Sequence, residues 1–198
     1  MASEVDICNA ALIRVGDKTI SALSASGNRE ARLCFLRYPM VRDALVSAHP
    51  WNFAQKRDRL ARLSAAPTFD YSYAYQLPAD CLRVIGIDDT ISDWRVEGRT
   101  VVTDLSEVYA LYLAKITDTT LMPPYFVDAL GLALAVELAY ALKPSASFVE
   151  GLIKERELKL ARARAMDAQE GYPERLEHED DWLNSRRTSG TVRYAETS

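Results

Sequence analysis

The stretch His49-Pro50-Trp51-Asn52-Phe53-Ala54 decides how this chain is read. It ends a long helical pattern with a proline and sets two rigid aromatics directly behind it. Upstream, Ala31, Leu33, Cys34, Leu36, Val41, Ala44, Leu45 and Ala48 recur at helical spacing after a polar loop that runs to Asn28. Pro39 lies inside that run and removes one intrahelical hydrogen bond, so a kink or break near Tyr38 is expected. Tryptophan at a helix–helix corner is usually core, and Trp51 and Phe53 are therefore expected to lock the corner. Behind them the pattern predicts another short helical segment, through Gln55-Lys56-Arg57 to Leu63.

Before this region, Ser3 caps a first helix carrying Val5, Cys8, Leu12 and Val15, and Gly16 stops it. Beyond Pro67 the period changes. Residues 68–75 alternate aromatic with small or polar residues, as a strand does. Leu77-Pro78-Ala79-Asp80 reads as a turn and Cys81 to Ile87 as a second strand. Residues 94–102 read as a hairpin around Glu97-Gly98-Arg99. Val108 to Ile116 is nearly continuous apolar, the mark of a strand covered on both faces. The whole is a small antiparallel sheet of about four or five strands set between helical regions.

Pro123-Pro124 opens a helix in which Phe126, Leu130, Leu134, Leu138 and Leu142 recur every fourth residue with alanines between them, and Lys143-Pro144 breaks it. Ser147 with Glu150 has the form of a capping box for a last helix to about Gln169, with Leu152, Ile153, Leu158 and Leu160 inward. After Pro173 the chain turns polar and aperiodic, a composition that does not bury enough apolar surface to fold alone. Trp182 stands there with Asp181 before it and Arg186, Arg187 and Tyr194 after it. With no neighbours to bury it, it reads as an anchor for a partner groove, with a tail that folds back on its own subunit as the alternative.

Composition narrows the function classes. The chain has 198 residues and a net charge of -4, a balance that argues against a free-standing nucleic-acid binder. Cys8, Cys34 and Cys81 form no close pair, and their odd number excludes a complete set of intrachain disulfides. Cys8 and Cys34 sit in apolar helical patterns and read as small core residues. With two histidines, His49 and His178, zinc spacing is absent, and no glycine-rich phosphate loop is present. The N-terminus lacks a charged-then-apolar signal pattern, and Val127 to Leu142 carries Asp128 and Glu137 and is short for a bilayer span. Expression in a reducing cytoplasm is expected. No cofactor, metal or catalytic residue is assigned.

Two enzymatic or binding alternatives have named residues. Glu137, in the most apolar helix, is the sharpest candidate for a carboxylate acid in glycoside hydrolysis, although no second carboxylate is placed beside it by sequence. A helix-face glutamate paired with a basic residue, or one at a subunit interface, is the plainer reading. Tyr71, Tyr73 and Tyr75 would fall on one strand face and could stack single-stranded bases, yet no basic residues interleave with them, which favours sheet core or a protein interface.

The stretch from Leu33 to Ala54, with Tyr38-Pro39 and the Trp51-Asn52-Phe53 core of the motif, resembles the signature of the tail tubular protein A family, the head-to-tail adaptors of short-tailed phages. Further similar segments are Arg57 and Leu60, then Tyr73 to Val84, Val96-Glu97-Gly98, Thr103-Asp104, the helix around Leu138-Ala139, and Asp180 to Arg186. The resemblance covers nearly the whole chain. It implies a ring of about twelve copies between the portal protein and the tail nozzle protein, lining a conduit through which genomic double-stranded DNA passes without specific binding. It also implies a place in the virion neck after assembly in the host cytoplasm, no membrane, and portal docking by a C-terminal segment.

The expected fold is thus α+β: a mainly α-helical bundle from residues 1–66 and 123–171, an inserted antiparallel β domain over 67–122, and an extended tail over 172–198. The expected function is structural and not enzymatic, with a tail-associated peptidoglycan hydrolase or a single-stranded nucleic-acid module as alternatives.

Overall fold

A computed structural model of the chain describes residues 2–89 and 91–171. It is α+β, with four α-helices and two small antiparallel sheets. The portal-docking assignment of Asp181, Trp182, Arg186, Arg187 and Tyr194, and the 172–198 tail itself, lie outside the described residues.

Helix α1 (Glu4–Val15) starts and stops where local chemistry dictates. The Ser3 side chain accepts from Asp6 N while the Asp6 carboxylate accepts from Ser3 N at 2.9 Å, a closed capping box. Gly16 ends the helix at φ 74°, a left-handed conformation that glycine adopts without steric cost. Helix α2 (Arg29–Ala48) is capped by Asn28, whose side chain accepts from Ala31 N at 2.9 Å. Of the kink or break expected near Tyr38, the break does not occur: the helix continues through Pro39. Buried Tyr38 and Arg42 on either side of the proline fix both halves of the helix to the body. That packing outweighs the loss of one backbone hydrogen bond.

Helix α3 (Pro124–Leu142) is the hub. Pro124 occupies its first position, where the missing N–H has no intrahelical role. From Phe126 to Ala139 most of its residues are buried, and it packs against α1, α2 and α4 (Ala146–Glu170). By length and apolarity alone α3 could cross a membrane, but 61% of its most apolar window is buried inside the protein. The capping box expected at Ser147 is not formed. Helix α4 begins at Ala146 with Ser145 as an N-cap that makes no side-chain bond, and Glu150 instead pairs with Lys154 at 3.0 Å. Leu158, expected inward, is 64% exposed. It lies more than 100° around the helix from the buried row of Leu152, Leu160 and Ala163.

The largest departure from the sequence reading follows Trp51. A single 3₁₀ turn (Asn52–Ala54) leads straight into strand β1 (Gln55–Arg59) and then β2 (Ala61–Arg62), not into a helix to Leu63. The polar run has good helical propensity, but pairing with a buried strand supplies it with a backbone ladder that overrides local preference. The strand region therefore begins at Gln55, inside the segment assigned by sequence to the helical body. The remaining strands are β3 (Tyr73–Gln76), β4 (Cys81–Ile87), β5 (Trp94–Glu97), β6 (Thr100–Thr103) and β7 (Tyr109–Ala114).

They form two sheets, of order β1-β7-β4 and β2-β3-β6-β5, rather than one of four or five strands. The chain changes sheets at Leu60, which is buried and whose N–H donates to Val108 O at 2.9 Å. The predicted hairpin is β5–β6, turned by Gly98 at φ 60°. Strand β7 is central to its sheet, as its apolar run implied. The strand expected over 68–75 shrinks to its last part because Asp70 takes φ 68° and the Asp104 carboxylate, not a ladder partner, accepts from Ser72 N at 2.8 Å.

Trp51 joins these layers. It is fully buried, donates from Nε1 to Leu45 O at 2.9 Å, and packs edge-on against Phe126 with ring centroids 5.1 Å apart. Phe53 is half-buried and meets the same Phe126 at 4.7 Å. Trp51→Ala removes a large core side chain and a buried hydrogen bond. Its unfolding free energy, from chemical denaturation, should fall by about 3–5 kcal/mol; a loss under about 1 kcal/mol would show that the corner is not a structural joint.

Candidate functional site

Two places stand out once the fold is built: the joint behind the helix corner, and an apolar groove on the far side of α3's first turns.

The joint is organised by Asp167 of α4, only 2% exposed. Its carboxylate accepts from Asn52 N at 3.0 and 3.3 Å and from Tyr125 Oη at 3.2 Å. Its backbone carbonyl accepts from Asn52 Nδ2 at 2.6 Å. His49 Nε2 lies 3.6 Å from the same carboxylate and its ring meets Trp51 edge-on at 4.6 Å. The acid thus caps the 3₁₀ turn, holds the start of α3 and anchors the end of α4 together. Burial holds the His49 pKa below the usual histidine range, with Asp167 pulling the other way. Burial is also the main cause that pushes Tyr125 far above the usual phenol range. The signature residues Tyr38, Pro39, Trp51, Asn52 and Phe53 accordingly belong to the frame: Tyr38 and Trp51 are core, and Asn52 is a hydrogen-bonded clasp.

The groove, of about 570 Å³, runs between α1 and the start of α3. Ala2, Ile7 and Ala10 form one wall, Val127 and Gly131 the other, and residues 119–123 close one end. It exists because its walls are small. A Cβ on Gly131 would sit 3.8 Å from Ile7 O, so the helices nearly touch at the floor and no large side chain fills the space above. An ion-pair cluster seals the other end. Arg14 reaches Asp128 at 2.7 Å and Glu155 at 2.8 Å, and Lys159 reaches Asp128 at 2.5 Å. Leu121, on the rim, is 56% exposed.

The other sequence candidates fall elsewhere. Glu137 is half-buried and lines a shallow pocket of about 300 Å³ with Glu157, Arg156 and Arg164. A second carboxylate does share its surroundings, which sequence did not place, and two arginines lie there with it. The tyrosines are not a free platform: Tyr75 is buried and its hydroxyl donates to Leu105 O at 2.6 Å, while Arg62 stacks on Tyr73 at 3.8 Å. Tyr71 lies outside the strand. Cys8 and Cys34 are buried free thiols that face each other between α1 and α2. Among the described residues no group of three or more metal-ligating side chains converges.

No protein-family model matches the chain, and no curated protein sequence matches it.

Asp167→Ala leaves the buried Asn52 N–H without its acceptor and takes one of two carboxylate acceptors from the Tyr125 hydroxyl, which keeps Glu170; it should cost about 2–4 kcal/mol in stability, while Tyr125→Phe should cost about 1 kcal/mol. A denaturation series that ranked the two equally would contradict the shared-acid arrangement. His49 titrates lower when folded than unfolded, so the unfolded chain takes up the proton first. Stability should therefore drop as pH falls below about 6.5. Melting curves between about pH 7.5 and pH 5.5 should flatten in His49→Gln relative to the parent.

Proposed function

We propose that this chain is a head-to-tail adaptor of a short-tailed phage, assembling as a ring between portal and tail nozzle around the path of the genome. The observation that carries the reading is the Leu33–Ala54 pattern, specific from Tyr38-Pro39 through Ala54, and its Trp51-Asn52-Phe53 stretch is the clasp of the helical frame. A motif spent on rigidity suits a scaffold whose work is to hold a shape. The solvent-facing side of α2 supports the same reading: Phe35, Leu36 and Met40 are 45%, 60% and 61% exposed, an apolar row suited to contact with neighbouring copies.

In this mechanism the C-terminal segment meets the portal, with Asp181, Trp182, Arg186, Arg187 and Tyr194 as its contacts. Each segment contributes modest affinity, and repetition around the ring raises the total. The portal's symmetry supplies the template, so adaptors gather only where a neck is needed. The net charge of -4 suits a conduit, because dense lysine and arginine contacts to phosphates would add affinity and slow DNA passage.

Mixing purified protein with assembled portal, followed by mass determination by light scattering or electron microscopy, tests this directly. A multi-copy ring on the portal is the expected product. A chain ending at Gly171, and full-length Trp182→Ala, should both bind portal at least tenfold more weakly, about 1.4 kcal/mol. Undiminished binding by both would remove the tail from the mechanism, and no binding by the parent protein would overturn the adaptor reading.

A further inference from the structure

The geometry points to the α1–α3 groove as a cradle for Trp182-Leu183 of the same chain in the free subunit. Three observations lead there. First, the groove is apolar and open, and its volume of about 570 Å³ suits a compact apolar group. Second, the described chain ends near the N-terminal end of α3, the end that also helps to wall the groove. Glu170 Oε2 accepts from Tyr125 Oη at 3.1 Å. Tyr125 directly follows Pro124, which lines the groove. The exit and the groove therefore lie at the same, N-terminal end of α3. Twenty-seven residues follow Gly171, and the eleven steps to Trp182 span up to about 36–40 Å, ample reach.

Third, the chemistry matches. Trp182-Leu183 is the bulkiest apolar pair after Gly171, and Arg186 and Arg187 follow it. At the groove, Arg14 is already committed to Asp128 and Glu155, whereas Asp6 makes no ion pair among the described residues and leaves a carboxylate at the open rim. An apolar pair seated in the groove would bring the arginines toward that acid. Trp182 would then be sheltered until a stronger partner takes it. This inference does not rest on the adaptor reading, because it concerns the subunit by itself.

The test uses full-length protein with Trp94→Phe, so that buried Trp51 and Trp182 are the remaining indoles. Ala10 is exposed on the groove wall, so Ala10→Phe fills the groove from a position outside the core, and Leu121→Lys alters the rim independently. Acrylamide quenching of the Trp182 contribution, taken as the difference from Trp182→Phe, should rise at least threefold in Ala10→Phe and in Leu121→Lys. The effects of Ala10→Phe and Trp182→Ala on the thermal midpoint should also be non-additive. Equal quenching in parent and both variants, with additive midpoints, would overturn the inference. Shielding that disappears on dilution would overturn it too, by assigning the groove to a neighbouring copy's segment. Portal binding enters none of these measurements, so their failure and that of the adaptor reading are separable.

Discussion

The carboxylate of Asp167 is the constraint on which the rest of the structure leans. It is buried at the meeting point of three elements: Asn52 from the 3₁₀ turn and Tyr125 from the start of α3 donate to it, and His49 from the end of α2 stands 3.6 Å away. A buried acid is tolerable only when its lone pairs are filled. The same requirement fixes where α2 must stop, where α3 must start and which way α4 must run. Trp51 and Phe53, clamped on Phe126, then set the distance between helix corner and hub.

From that joint the chain's division of labour follows. Helix α3 is buried on most of its circumference and so spends its side chains on packing. Its glycine and alanines let α1 approach closely, and the close approach leaves a groove rather than a filled interface. The sheets hang from the same corner through β1, whose charged, solvent-facing residues keep an edge strand from pairing with other chains. The packed frame thus leaves two apolar surfaces uncovered among the described residues, the row on α2 and the groove on α1.

The helices were legible because their signals are local. The cap at Ser3, the stop at Gly16 and the four-residue spacing in α3 each act within a turn or two of chain. Strand β7 announced itself by an apolar run, and the β5–β6 hairpin by its turn. The polar run after Ala54 misled for a complementary reason: its identity as β1 depends on a partner more than fifty residues away, Gln55 pairing with Leu113. Asp167 gave no signal at all. In sequence it is one more polar residue on a charged helix, and its partner Asn52 lies 115 residues distant.

Sequence by itself determined the α+β class, the boundaries of the first two helices and of the helix opened by Pro124, the core status of Trp51, and the resemblance from which a function is proposed. Tertiary structure decided the split into two sheets, the continuity of α2 through Pro39, the burial of Asp167 and the groove between α1 and α3. The physical reason is range. Periodicity and capping are written within a few residues, whereas strand register, buried polar satisfaction and unfilled space exist only between segments that the fold brings together.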